Sequence, residues 1–225
     1  MINDKTRVRM RIEELGIVPA IRLAPRPTAA DDARFAAETL KSAGIPIAEI
    51  SVSVPGALEV ISDLVKKFPK MIIGADVLDI ESARQCLDAG AKFLTSPGLF
   101  LDVVAFATAR EVVAFPGALT PTEIVVAWNA GADYVKVFPC SQVGGAAYIK
   151  ALRGPLPEVP LIASGGVNQQ TAVSFMLAGA NAVGIGAELI PQEALLGRKE
   201  RQIHELARRF LTMVKDARAE RMARS

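Results

Sequence analysis

One short motif recurs in this chain at a spacing that leaves few folds open. Ala43-Gly44-Ile45, Ala89-Gly90-Ala91, Ala130-Gly131-Ala132 and Ala178-Gly179-Ala180 each close a helical stretch just before an apolar one. Glycine there suits the left-handed cap that stops a helix. The motif returns roughly every 45 residues, and each interval holds two strand-plus-helix units. Branched apolar runs predict strands at Ile17–Leu23, Ile47–Ser53, Met71–Val77, Phe93–Ser96, Val112–Phe115, Tyr134–Phe138, Leu161–Ser164 and Ala182–Ile185. Helical patterns fill the gaps, a helix at Thr6–Leu15 precedes them, and a long one at Arg198–Arg221 follows. Strands alternating with helices imply a parallel sheet. Eight such units in a chain of this length predict an α/β fold closed as a (β/α)8, or TIM, barrel. The alternative is an open doubly wound sheet, but a motif marking every second strand favours closure. No linker or low-complexity tract interrupts the pattern, so one domain is expected over residues 1–225.

Composition narrows the chemistry. Hydrophobic residues make up 51% and aromatics only 5%, which predicts an interior of Ala, Val, Ile and Leu. The formal net charge is +2, and most of the basic excess falls in the last helix, so no general face for nucleic acid is expected. Two cysteines and one histidine argue against a metal cluster or a Ser-His-Asp triad; no metal or cofactor is expected. No run approaches the ~18 apolar residues of a membrane span, and Met1–Lys5 lacks the apolar core of a secretory leader. The expectation is a cytoplasmic protein with reduced thiols and no membrane partner.

The sixth strand holds the chain's most informative residue. Lys136 lies within Tyr134-Val135-Lys136-Val137-Phe138-Pro139, an apolar run of the kind buried on both faces. An ammonium there is costly unless paired, and a neutral lysine amine is the nucleophile that makes Schiff bases with carbonyls. The alternative is a stem lining the barrel with its head in water. Active sites in these barrels sit where the strands end, which brings forward Arg22, Glu49, Ser51, Ser53, Asp76, Thr95, Ser96 and Ser164. Glu49 is a carboxylate inside an apolar strand, either a proton carrier with a pKa raised by burial or an ion-pair partner of Lys136. By period two, Glu49, Ser51 and Ser53 would share one polar side. Arg22 can hold a carboxylate or phosphate through its planar fork, or pair with an acid such as Glu49. Ser164-Gly165-Gly166 after the seventh strand and Gly184-Ile185-Gly186-Ala187 at the eighth could let backbone N–H groups approach an anion. Cys140 reads as a bystander thiol, since no histidine is at hand to activate it.

Five motifs, in order, carry a resemblance: Glu49-Ile50-Ser51-Val52-Ser53-Val54-Pro55, Thr95-Ser96-Pro97-Gly98-Leu99, Phe115-Pro116-Gly117-Ala118-Leu119-Thr120-Pro121-Thr122-Glu123, Val135-Lys136-Val137-Phe138-Pro139 and Ser164-Gly165-Gly166-Val167. From about Ile12 to the last helix the chain resembles the 2-keto-3-deoxy-6-phosphogluconate (KDPG) and 4-hydroxy-2-oxoglutarate (KHG) aldolases, class I lyases. The resemblance implies Lys136 as Schiff-base lysine, Glu49 as proton carrier, and Pro97 and Phe138 as walls of the pyruvyl pocket. It implies Gly165, Gly166 and Gly186 at a phosphate, Arg22 on the substrate, a 2-oxo acid as substrate, and a homotrimer. Three positions depart from the family pattern. Asp76 falls near a threonine that helps bind the substrate carboxylate. Ala187, followed by Glu188, takes the place of a phosphate-binding serine. Ser53 stands where some members carry arginine. Two further readings stay open at this point: an aldolase for a non-phosphorylated or differently branched 2-oxo acid, and a non-catalytic barrel that binds or assembles.

Overall fold

The structure, a computed structural model, describes residues 3–224. Its strands are β1 Ile17–Ile21, β2 Ile47–Ser51, β3 Ile72–Asp76, β4 Phe93–Thr95, β5 Val113–Phe115, β6 Gly117–Ala118, β7 Val135–Val137, β8 Leu161–Ser164 and β9 Ala182–Ile185. All pair in parallel in the spatial order β5-β4-β3-β2-β1-β9-β8-β7-β6. β5 and β6 are the expected fifth strand, split at Pro116. Proline has no N–H to give the ladder, so β5 pairs only with β4 and β6 only with β7. Backbone bonds stitch the seam: Asp133 N–H donates to Ala114 O at 2.8 Å and Lys136 N–H to Pro116 O at 2.9 Å. The result is the expected parallel barrel, with helices between its strands.

The helices are α1 Asp4–Leu15, α2 Ala29–Ser42, α3 Ala57–Lys67, α4 Ile80–Asp88, α5 Leu101–Ala109, α6 Pro121–Asn129, α7 Ala146–Arg153, α8 Ala172–Leu177, α9 Gln192–Leu196 and α10 Glu200–Arg224. The recurring motif does what its glycine suggests. Gly44, Gly90, Gly131 and Gly179 all have positive φ. The next residue's N–H returns to a helical carbonyl, as Ile45 N–H does to Leu40 O at 2.9 Å and Ala91 N–H to Cys86 O at 2.9 Å. That bond closes a Schellman cap and turns the chain into the following strand. Thr28, which precedes α2, makes no side-chain cap; its hydroxyl donates to Asp32 Oδ2 at 2.8 Å instead.

Two elements close the barrel. Helix α1 buries Val8 and Ile12 and meets the start of β7, where Lys5 lies 3.1 Å from Asp133 and Tyr134 donates to Glu13 at 3.0 Å. This is the N-terminal end of the strands. Helix α10 lies along α8 and α2 and buries Ile203, Ala207, Phe210 and Val214. The lumen has an aromatic floor. Phe93 and Phe115 stack at 5.2 Å and Tyr134 meets Phe115 edge-on at 6.2 Å. By period two Phe93 and Tyr134 sit one step below Thr95 and Lys136, and Phe115, the register partner of Thr95, packs against both rings, so the polar layer rests on a water-excluding base.

Candidate active site

The register assembles the polar layer. Ala20 of β1 is level with Glu49 of β2, Glu49 with Gly74 and Ser51 with Asp76 of β3, and Asp76 with Thr95 of β4. Gly74 has no side chain because Phe93 occupies that space; a Cβ would lie 2.2 Å from its ring. Lys136 of β7 reaches across the lumen. Its Nζ lies 3.1 Å from Asp76 Oδ1, 3.2 Å from Thr95 Oγ1 and 3.7 Å from Glu49 Oε1. Thr95 is the hub: its hydroxyl is 3.0 Å from Glu49 Oε2 and 3.1 Å from Asp76 Oδ1. Lys136 and Glu49 are each 4% exposed, so the amine does not snorkel to bulk water.

The two carboxylates are driven apart. Burial pushes the Glu49 carboxyl above its ordinary value, and the Lys136 ammonium opposes this without cancelling it. Burial acts on Asp76 as well. There the Lys136 ammonium and the Arg22 guanidinium outweigh it and hold the carboxyl below its ordinary value. Environments that separate two acids in this way assign them different roles. Glu49 can take and return a proton, whereas Asp76 stays ionised as a fixed counter-charge.

Arg22 pairs with Asp76 Oδ2 and not with Glu49. The register explains the difference. Arg22 lies two residues beyond Ala20, level with the Ser51–Asp76 layer rather than with Glu49. Asp76 therefore does not stand as a bare negative charge in the pocket.

A cavity of about 400 Å³ opens at the C-terminal ends of the strands and contains Arg22, Glu49, Lys136, Phe138, Ser164, Gly165, Gly166, Gly186, Ala187 and Glu188 in its wall. Nine of the expected residues thus line one space, with Asp76 directly beneath through its bond to Lys136. The Phe138 ring centre is 5.8 Å from Lys136 Nζ. Pro97 is placed by close packing: its carbonyl lies against Gly117, where a Cβ would approach to 2.3 Å. Gly117 is the register partner of Lys136. Gly165 and Gly166 have positive φ and face Pro139 and Ser141 too closely for any side chain, so packing alone already demands them. Ser53 lies beyond the end of β2 at Ser51, is exposed and is not part of this cavity's wall; its hydroxyl is 2.8 Å from that of Ser51 and its N–H donates to the same oxygen at 3.4 Å. Cys140 is buried and its thiol is pushed up to about 12 by burial, which fits a bystander. Among the described residues no group of His, Cys, Asp or Glu could hold a metal ion, and no helix is long and apolar enough to cross a membrane.

Two features escaped sequence reasoning. Thr95 was visible only as one more polar residue at a strand end. The other is a cluster on Asp32, which joins Arg26 and Arg198. Its signal was an acid on the buried stripe of α2, three residues after Ala29 and four before Ala36.

Fold and site together define a barrel built to present a buried, acid-flanked amine to a carbonyl compound. The model of the "Aldolase: KDPG and KHG aldolase" family matches residues 8–206. A 2-dehydro-3-deoxy-phosphogluconate aldolase of Pseudomonas aeruginosa is 31% identical over 177 residues, 78% of this chain and 80% of that protein. A solved KDPG aldolase from Legionella pneumophila, with pyruvate captured at low pH as a covalent carbinolamine intermediate, superposes with TM-score 0.81 at 26% identity. It covers 92% of this chain and 97% of its own. A cube-shaped, highly porous cage designed by fusing symmetric oligomeric domains matches at TM-score 0.81 and 26% identity, over 92% of this chain and 75% of its own. The chain belongs to the KDPG and KHG aldolase family, whose members are carbon–carbon lyases.

Proposed function

We propose that this protein is a class I aldolase that cleaves 2-oxo acids bearing a hydroxyl at C4. The substrates are 2-dehydro-3-deoxy-6-phosphogluconate, giving pyruvate and glyceraldehyde 3-phosphate, and 4-hydroxy-2-oxoglutarate, giving pyruvate and glyoxylate. The observation that carries this reading is the Lys136 amine between Glu49 and Asp76 at the base of the cavity. Lys136 Nζ, once its proton passes to Glu49, adds to the C2 carbonyl. Loss of water from the carbinolamine gives an iminium. Removal of the C4 hydroxyl proton then breaks the C3–C4 bond, whose electron pair moves into the iminium to give an enamine. The aldehyde leaves, a proton returns to C3, and water releases pyruvate and the amine. Glu49 is the carrier for these protons, directly or through one water. Asp76 holds Arg22 over the cavity, where the guanidinium can meet the substrate's C1 carboxylate. Phe138 and Pro97 wall the pyruvyl group.

We place the whole chain in one barrel domain, working in the cytoplasm as a homotrimer. Sodium borohydride added with pyruvate is the decisive test. A reduced three-carbon adduct on Lys136 is expected, and an unmodified intact mass overturns the Schiff base. One observation favours a second reading in which the substrate lacks phosphate: Ala187 and Glu188 line the cavity beside Gly186, where a hydroxyl donor would serve an anion better. Comparison of kcat/KM for phosphorylated and unphosphorylated substrates decides between them, and a strong preference for phosphate removes the second.

A further inference from the structure

Thr95 has more charged partners than its hydroxyl has hydrogens. A hydroxyl carries one hydrogen and two lone pairs. Around this one stand Lys136 Nζ at 3.2 Å, Glu49 Oε2 at 3.0 Å and Asp76 Oδ1 at 3.1 Å. An ammonium only donates, so one lone pair takes the Lys136 contact. One hydrogen and one lone pair are left to face two carboxyl groups. With both acids ionised, one of them meets that lone pair with no hydrogen between. With a proton on Glu49, Glu49 donates to Thr95, Thr95 donates to Asp76, and every contact is made. Thr95 is 1% exposed, so bulk water does not reach it to fill the gap. The opposite shifts of the Glu49 and Asp76 carboxyls agree with this count.

The distances then choose a route for the proton that must leave Lys136. The direct path to Glu49 Oε1 is 3.7 Å, beyond the reach of about 2.6–3.2 Å over which a positioned base takes a proton. The path through Thr95 Oγ1 has legs of 3.2 and 3.0 Å. Strand β4 fixes the hydroxyl between them. Thr95 is level with Asp76 on one side and with Phe115 on the other, and its branched Cβ restricts rotation of the side chain.

We propose that Thr95 is a further catalytic residue, the relay through which the Lys136 ammonium gives its proton to Glu49. The proposal rests on Lys136 as the Schiff-base lysine. The Thr95 O–H bond breaks as its hydrogen passes to Glu49 Oε2, and a new O–H bond forms with a hydrogen from Lys136 Nζ. The electron pair of the broken N–H bond stays on nitrogen. Ammonium and carboxylate become amine and carboxylic acid, and threonine is regenerated. Its new hydrogen then turns from Nζ to Asp76 Oδ1, which leaves the nitrogen lone pair free for the C2 carbonyl. Asp76 accepts a hydrogen bond in this step and no proton. The other charges near the relay are Arg22, on the far oxygen of Asp76, and Glu188 in the cavity wall.

Timed mixing with pyruvate, a borohydride quench and intact mass give the rate at which the Lys136 adduct appears. A wild type that forms no adduct overturns the Lys136 reading and the relay with it. Once the wild type forms it, the variants judge the relay alone. At about pH 7, Thr95→Val is expected to form the adduct roughly 10²-fold more slowly, the lower end of what a positioned proton-transfer group contributes. Thr95→Ser keeps the hydroxyl and is expected to stay within about 5-fold of the wild type. At about pH 10 an ordinary lysine sheds its proton to solvent, so the deficit of Thr95→Val is expected to shrink there to less than about 3-fold. A hydroxyl that serves only packing leaves the deficit equal at both pH values, or gives serine the same deficit as valine. Either result overturns the relay, as does a Thr95→Val that keeps the wild-type rate. Where circular dichroism shows Thr95→Val unfolded, Thr95→Ala takes its place, with the same slowing expected and a wild-type rate again overturning the relay.

Discussion

Lys136 Nζ has Asp76 at 3.1 Å and Glu49 at 3.7 Å, and the protein gives these two acids opposite tasks. Glu49 is the one that burial leaves ready to hold a proton. Glu49→Gln is therefore expected to lower kcat/KM by ~10²–10⁴. In the wild type the cleavage rate is expected to rise with pH through a value above the 4.5 of an ordinary glutamate, because the carboxylate form is the base. That acidic limb is expected to vanish in Glu49→Gln; a variant that keeps it removes Glu49 from the proton path. Stability follows the same split. A raised carboxyl contributes most below its unfolded value and loses that contribution as pH rises through the folded one. A depressed one contributes above its unfolded value and loses this as pH falls through the folded one. Asp76→Asn is thus expected to lower the melting temperature at pH 8, and Glu49→Gln to raise it there relative to pH 4. Calorimetry on both variants at both pH values reads these signs. Lys136 and Glu49 were legible in the sequence because a charge inside an apolar strand demands a reason. The partner of Arg22 was not, because choosing Asp76 over Glu49 needs the register between β1, β2 and β3.

Whole elements were legible wherever their boundaries carry strong local chemistry. The four Ala-Gly closures marked helix ends correctly because a left-handed cap is a local requirement of the backbone. The fifth strand was only half visible. Pro116 ends β5, and the two small residues of β6 give no branched apolar signal, yet they pair with Lys136 and Val137. Helix α9 escaped because it spans only five residues, although Pro191 at its start is a usable cue. Ser53 falls outside the cavity wall for a similar reason: period two holds only while the strand lasts, and β2 stops at Ser51. The β5–β6 seam yields its own prediction. A Cβ at Gly117 would lie 2.3 Å from the Pro97 carbonyl and 2.7 Å from Gly98 N, both backbone atoms that cannot swing aside. Gly117→Ala is expected to destabilise by about 1–3 kcal/mol, the usual cost of overpacking, and to lower the melting temperature by roughly 2–10 °C at this chain length. It is also expected to slow pyruvate trapping, since the strand it displaces is bonded to Lys136. A melting temperature equal to the wild type's would show that the seam yields without strain.

At the scale of the molecule, the barrel leaves an apolar rim beside its catalytic end. Leu58 opens α3, Leu78 lies between β3 and α4, Ile80 begins α4 and Leu101 begins α5, and these four are 38%, 53%, 38% and 47% exposed. They follow β2, β3 and β4, three adjacent strands, so they gather on one side. Large apolar groups clustered near each other on a surface mark a place where another surface fits. This face is where the proposed trimer would form. Burying a leucine stabilises by roughly 1.5–3 kcal/mol, and closed symmetry repeats each contribution at every interface. Two buried glutamates in place of leucines would reverse the sign, because an unpaired charge in an apolar contact is costly. Leu78→Glu with Leu101→Glu is therefore expected to convert a trimer into monomers by native mass spectrometry, with circular dichroism unchanged. Pyruvate trapping on Lys136 is expected to persist in those monomers, since Asp76, Thr95 and Glu49 of the same chain already hold the amine. A trimer that survives the double substitution places the interface on another face, and a monomeric wild type removes the trimer itself.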